Sequence, residues 1–171
     1  MPRPSLQILA EKLSGERALQ ALFQGESKRG EIGIRSCFTS SGVISVAQSI
    51  LLQYPEQAVI LVFDAGDKDD HDIEERRNTI YRILAGTAPD GWHVTLARPD
   101  VDAWLMADPA ARAIFEADGA TRRSRIERAA RIGEIARNRP LDREAIGKVH
   151  PEFASLVAFV DQLRPAPLPT T

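Results

Sequence analysis

Hydrophobic and polar positions along the chain switch between a helical and a strand-like period. Leu6, Leu9, Leu13, Leu19 and Leu22 recur at helical spacing and predict a helix over residues 4–23, weakened at Gly15. QGESKRG (24–30) reads as a turn, and EIGIRSCF (31–38) as a strand ended by the small polar turn TSSG. Ser45 to Tyr54 is again helical, with Val46, Ala47, Ile50 and Leu51 inward and Pro55 as the stop. Val59 to Phe63 is an unbroken β-branched and aromatic run, the pattern of a strand buried on both faces. Residues 73–86 predict a helix with Ile73, Ile80, Ile83 and Leu84 inward and Gly86 at its end. WHVTLARP (92–99) predicts a further strand. Helical periodicity then covers 101–107 and 109–117 around Pro109, an Arg-rich segment over 121–137, and HPEFASLVAFVDQL (150–163) with Phe153, Leu156, Val157, Val160 and Leu163 inward.

Helices and strands in alternation predict an α/β fold: an open, mainly parallel sheet with flanking crossover helices and a helical C-terminal part. Such folds usually open on a strand, whereas this chain reads as opening on a helix, so the first strand is expected either to be absent or to lie upstream of Met1. With 171 residues, the chain is expected to form one domain over 1–164, followed by a disordered Pro-rich tail over 165–171. No apolar stretch approaches the length of a membrane span, and the N-terminal residues lack a signal-peptide core. The single cysteine, Cys37, has no partner for an internal disulfide, so a reducing, cytoplasmic location is expected.

A formal net charge of −2 argues against tight nonspecific nucleic-acid binding by the whole surface. Its distribution is more telling. Residues 60–110 carry eleven acids against five bases, and residues 111–148 ten bases against six acids, an arrangement that suits a metal site with a basic rim or a mixed helical surface. Asp64 closes the apolar strand at 59–63, and Asp67, Asp69, Asp70 and Asp72 follow it. Ligands of open α/β sheets bind outside the carboxyl ends of the strands, and acids there can hold a hard cation such as Mg²⁺. A solvated acidic loop is the competing reading.

His71, His93 and His150 do not pair at zinc-ligand spacing. Cys37 reads as a structural thiol rather than a nucleophile. Ser40-Ser41-Gly42 suits a phosphate at a helix N-terminus, or simply a helix cap, which is favoured. Trp104 and Leu105 read as core residues rather than a base-stacking platform. Arg122, Arg125 and Arg128 fall roughly on one helix side and are the candidate contact to a nucleic-acid backbone. Interleaved Glu127 and Glu134 suit a salt-bridged surface equally well.

VILVFDAGDKDD, followed by a helix, a strand and then RPDVDAWLMADP, resembles the Toprim-like domains of OLD-family nucleases, and most of all the small stand-alone Toprim-like proteins associated with antiphage defence. The second block of that family reads P-x-(I/V)-E-A-W-L-L-A-D. Here it is Pro99-Asp100-Val101-Asp102-Ala103-Trp104-Leu105-Met106-Ala107-Asp108, with Asp102 at the Glu position. The substitution shortens the acid's reach by about 1.5 Å. HPEF at 150–153 also looks like the family's C-terminal pattern, and the resemblance spans roughly residues 31–160. It implies phosphodiester chemistry dependent on Mg²⁺ (or Mn²⁺), with Asp64, Asp67 and Asp69 as metal ligands and Asp64 and Asp102 as catalytic acids. The family also uses a Glu at the end of its first strand, within E-G-x-x-(D/E), as general acid/base. The missing first strand takes that Glu with it, and Gln24-Gly25-Glu26-Ser27 reads as a coincidental likeness.

Two functions follow as expectations. One is a metal-dependent nuclease acting on nucleic acid in antiphage defence. The other is a Toprim-derived interaction or regulatory subunit without catalysis, or one whose site a partner chain completes. An ordinary nucleotide-binding α/β fold lacks support, because no glycine-rich phosphate loop is present. The sheet edge left by a missing strand further predicts a partner protein or self-association.

Overall fold

The computed structural model describes residues 4–118 and 124–164. Its first element overturns the predicted opening helix. Leu6–Ala10 is a strand, β1, and only Leu13–Leu22 is helical, as α1. The leucine spacing misleads because β1 is buried on both faces. Leu6, Ile8 and Ala10 face one core and Leu9 the other, so only Gln7 is polar and no regular polar alternation marks the strand.

A short helix α2 (Gln24–Lys28) replaces the predicted turn and leads into β2 (Ile32–Ser36). Helix α3 (Ser40–Gln53) starts earlier than the hydrophobic stripe indicates, because the Thr39 side chain caps it by accepting from the Gly42 N–H at 2.9 Å. Then follow β3 (Ala58–Asp64), α4 (Asp70–Thr87) and β4 (Trp92–Ala97). The described residues after β4 form five helices: α5 (Val101–Met106), α6 (Pro109–Asp118), α7 (Arg125–Asn138), α8 (Arg143–Val149) and α9 (Pro151–Gln162).

The four strands among the described residues are all parallel, in the order β2-β1-β3-β4, with Leu6 opposite both Ile32 and Ala58, and Val59 opposite Trp92. The expected α/β sheet with flanking helices is therefore present, and its first strand is central rather than missing. The edge strands are β2 and β4, so no edge is vacated by a lost β1. Side chains of Leu6, Ile8, Ala10, Ile60 and Val62 pack under α1 and α5–α9. Those of Leu9, Val59, Leu61, Phe63, Val94 and Leu96 pack under α3 and α4. No helix among the described residues is long and apolar enough to cross a membrane.

The C-terminal helices are fastened to the first core layer by charge as well as by apolar contact. Glu26, almost fully buried on α2, receives both terminal nitrogens of Arg143 at 2.8 and 2.7 Å and a further bond from Arg164. Arg143 also donates to the Leu22 carbonyl from Nε at 2.9 Å and lies over the Phe23 ring at 4.5 Å. Gln24-Gly25-Glu26-Ser27 thus belongs to a structural clasp. Asp108, 3% exposed, is structural as well. Its Oδ1 accepts from Ala111 N–H at 2.9 Å and its Oδ2 from Asp142 N–H at 2.8 Å, tying α6 to the start of α8. We expect Asp108→Ala to leave both N–H groups without this acceptor and to lower stability by about 2–4 kcal/mol, read as a shift in urea midpoint. An unchanged midpoint would contradict this role.

Candidate active site at the carboxyl edge of the sheet

The chain leaves β1 toward β2 on one side and returns to β3 on the other, so the strand order reverses between β1 and β3. That switch point is where α/β folds open a crevice for ligands. Two acids stand there: Glu11, the residue after β1, and Asp64, the last residue of β3. Arg76 of α4 joins the two strand ends. It donates to Glu11 Oε1 at 2.8 Å, to the Asp64 carbonyl at 3.0 Å and to Ser40 Oγ at 3.1 Å, with its guanidinium 5.0 Å above the Phe63 ring. A cavity of about 510 Å³, lined by Ser40, Phe63, Lys68, Asp72 and Arg76 among others, opens beside this group.

Asp64 is held from two sides. Its Oδ1 accepts from Val101 N–H at 3.3 Å, which anchors α5, and its Oδ2 lies 3.6 Å from Lys12 Nζ. Burial pushes the Asp64 carboxyl above its ordinary range, and Arg125 and Lys12 only partly counter that. Asp102, on the first turn of α5, accepts from Arg125 Nε at 2.7 Å. Burial raises its pKa too, against the pull of Arg125. Asp100 caps α5 by accepting from Ala103 N–H at 3.1 Å, and it lies 3.5 Å from the Arg125 guanidinium. That Arg125 nitrogen is buried and makes no hydrogen bond among the described residues. Asp64, Asp100 and Asp102 therefore share one cation.

Asp67 and Asp69 fall on the exposed loop between β3 and α4. Asp69 Oδ1 caps α4 by accepting from Asp72 N–H at 2.8 Å, so the acid cluster doubles as a helix start. The loop turns back at Gly66, whose φ of 66° lies in the left-handed region, and Gly66 N–H donates to the Pro99 carbonyl at 2.8 Å. Of the three arginines predicted to contact nucleic acid, Arg125 is turned to the acids and Arg128 lies over the Phe115 ring at 4.8 Å. Arg122 lies outside the described residues, as does the predicted tail over 165–171.

The HPEF segment braces the site from behind. Glu152 Oε1 accepts from the Trp104 indole N–H at 3.0 Å and from the Arg98 N–H at 3.3 Å, while a His150 ring nitrogen lies 3.1 Å from the Ala103 carbonyl. Trp104 is fully buried against Phe153, their ring centres 5.1 Å apart, which bears out its reading as core. Ser40 and Ser41 sit in the first turn of α3, where Thr39 supplies the cap. His93 stacks on Phe159 at 5.2 Å.

Sequence reasoning missed Glu11, Lys12 and Arg76. The signal for the first two was the break in hydrophobicity at Glu11-Lys12 after five residues of mostly apolar character. That break is out of place inside an inward helical stripe and ordinary at a strand end. Arg76 gave no local signal, since its role depends on where α4 docks. Among the described residues no group of three or more His, Cys, Asp and Glu side chains is arranged to hold a metal ion. The donor set at the switch point is nonetheless of the right chemistry. It has hard carboxylate oxygens, two of them on a half-buried Asp64 whose nearest cation is a half-exposed lysine that can swing aside. Searches against protein-family models, curated proteins and solved structures find no match to this chain.

Proposed function

We propose that the chain is a Toprim-like protein that cleaves phosphodiester bonds in nucleic acid with the help of Mg²⁺ or Mn²⁺. The observation that carries this reading is Glu11. The resemblance calls for a Glu at the end of the first strand, and Glu11 is the residue that directly follows β1, with Arg76 binding both it and the end of β3. Lys12 stands where the family pattern has Gly, and the second acid, Glu16, comes one residue late. Glu16 accepts from Ser36 N–H at 2.6 Å and so ties α1 to β2.

Glu11 and Asp64, with Asp67 on the adjoining loop, are the residues that would hold the metal, which when bound neutralises phosphate charge and lowers the pKa of an attacking water. Glu11 would accept the proton of an attacking water at its carboxylate, which Arg76 holds in place through Oε1. Asp102 and Asp100 hold the Arg125 guanidinium at the rim, where it meets a phosphate oxygen of the substrate. Asp102 acts here through Arg125.

The test is calorimetric titration with Mg²⁺ and Mn²⁺ of the parent and of Asp64→Asn, followed by cleavage assays on plasmid and single-stranded DNA. We expect saturable binding in the parent and at least a tenfold loss in the variant, since a carboxylate ligand is replaced by a neutral amide. No binding by the parent would overturn the proposal for the isolated chain.

One observation favours a second reading, a Toprim-derived interaction or regulatory subunit without catalysis. Glu11, Asp64, Asp100 and Asp102 are each already faced by a basic side chain. On that reading the parent binds no metal, and pull-downs identify its partner protein.

A further inference from the structure

The loop from β2 to α3 carries a phenyl group where physical chemistry alone would not put one. Phe38 is 76% exposed, the most exposed large hydrophobic side chain among the described residues. Its backbone is the outlier of the fold. Phe38 has φ 66° and is the only non-glycine residue at positive φ among those described. It is the central residue of a tight γ-turn closed by Thr39 N–H donating to the Cys37 carbonyl at 2.9 Å. A bulky side chain in this region is strained where glycine would be relaxed. Burial does not repay the strain, because the ring faces solvent. Residues kept in such conformations cluster at binding sites.

The position of the turn says what the ring would meet. Cys37 N–H donates to the Ala10 carbonyl at 2.8 Å, so the turn begins beside the end of β1, next to Glu11. Two residues after Phe38, Ser40 accepts from Arg76, which also holds Glu11. The ring therefore stands at the same carboxyl edge as the candidate active site. Its sequence neighbours Thr39, Ser40, Ser41 and Gly42 are small, and between residues 32 and 53 the only formal charge is that of Arg35, an exposed cation. A lone aromatic ring in a polar setting, where Arg35 is balanced by Glu16 on the Ser36 N–H, lacks the apolar surround that a protein interface core requires. It suits a flat base stacked on one face, the sequence-tolerant contact of proteins that hold single strands.

We propose that Phe38 is a stacking platform for an unpaired nucleobase, which holds single-stranded nucleic acid across the carboxyl edge of the sheet. This rests on the phosphodiester reading for its substrate class but does not require catalysis. The experiment measures binding of a fluorescein-labelled oligo(dT) in EDTA, where no cleavage occurs, for the parent, Phe38→Ala, Phe38→Gly and Phe38→Trp. Hydrolysis of bis(p-nitrophenyl) phosphate with Mn²⁺ is followed in parallel as a substrate without a nucleobase.

We expect Phe38→Ala and Phe38→Gly to weaken oligonucleotide binding by about tenfold or more. Phe38→Trp should retain binding, with its emission quenched on adding oligonucleotide. Phe38→Gly should unfold no more easily than the parent, a result that a packing role for the ring would not give. Parent-like oligonucleotide affinity in Phe38→Ala, or no binding by the parent, would overturn the inference, and a protein partner lost only in Phe38→Ala would then assign the ring to an interface. Parent binding that Phe38→Ala loses, together with no diester hydrolysis by the parent, would support the platform while overturning the catalytic reading.

Discussion

Under the proposed phosphodiester chemistry, replacing Glu11 by glutamine is expected to abolish metal-dependent cleavage while leaving the protein folded. The amide can still accept from Arg76, so the β1–α4 contact survives, and the urea midpoint should stay within about 1 kcal/mol of the parent. What is lost is a proton acceptor and an anionic oxygen ligand at the switch point. General acid–base catalysis contributes about 10²- to 10⁴-fold, and the rate should fall at least by that factor. Asp67→Asn, on the exposed loop, should cost less, because water or a neighbouring acid can substitute for its oxygen. Lys12→Met gives the opposite sign: with the ammonium gone from Asp64, Mn²⁺ affinity should rise. Initial rates on a single-stranded substrate, with unfolding curves for each variant, test the set. A Glu11→Gln protein as active as its parent would remove Glu11 from the mechanism.

The largest effect on stability is expected from Arg143→Ala. Glu26 is buried with only 6% of its side chain exposed, and Arg143 supplies two of its hydrogen bonds. Burial by itself would raise the Glu26 pKa. The hydrogen bonds and charge of Arg143, with the charge of Arg164, more than reverse that and hold it at about 2, below the ordinary 4.5. Because the folded-state value is depressed, the ionised carboxylate stabilises the fold above the unfolded pKa of 4.5, and that contribution is lost as the pH falls toward 2. The depression corresponds to about 3 kcal/mol. Truncating Arg143 leaves Glu26 with Arg164 alone and removes the ring contact to Phe23, so a loss of about 3–5 kcal/mol is expected at pH 7. The variant should also lose less stability than the parent between pH 5 and pH 2.5. Urea denaturation at both pH values checks this, and matching curves for the two proteins would show that the clasp contributes nothing.

The elements that sequence periodicity located well are those with one unambiguous period. The run Val59–Phe63 and the residues Ile73, Ile80, Leu84, Phe153, Leu156 and Val160 are in place, whereas Ile83 and Leu163, expected inward, are exposed. The opening segment failed for a physical reason. Leu6, Leu9 and Leu13 satisfy a helix, while Leu6, Ile8, Leu9 and Ala10 equally satisfy a strand covered on both sides. Which holds depends on whether a sheet exists for the segment to join. That one misreading hid Glu11 and created the expectation of a missing strand.

By itself, then, the amino-acid order determined that this is an α/β chain with a buried strand ending in Asp64, an Asp102 block ahead of a buried Trp104, and a helical C-terminal part. Those properties follow from local period and composition. Only the tertiary structure decided that β1 enters the centre of the sheet. It alone brought Glu11 beside the end of β3 through Arg76, gave Arg125 to Asp100 and Asp102, and set Phe38 at the same edge. The Arg76 contacts that join the strand ends link residues 12 to 65 positions apart, and no local pattern encodes them. They exist because parallel strands carry their carboxyl ends to one side of the sheet, whatever their distance along the chain.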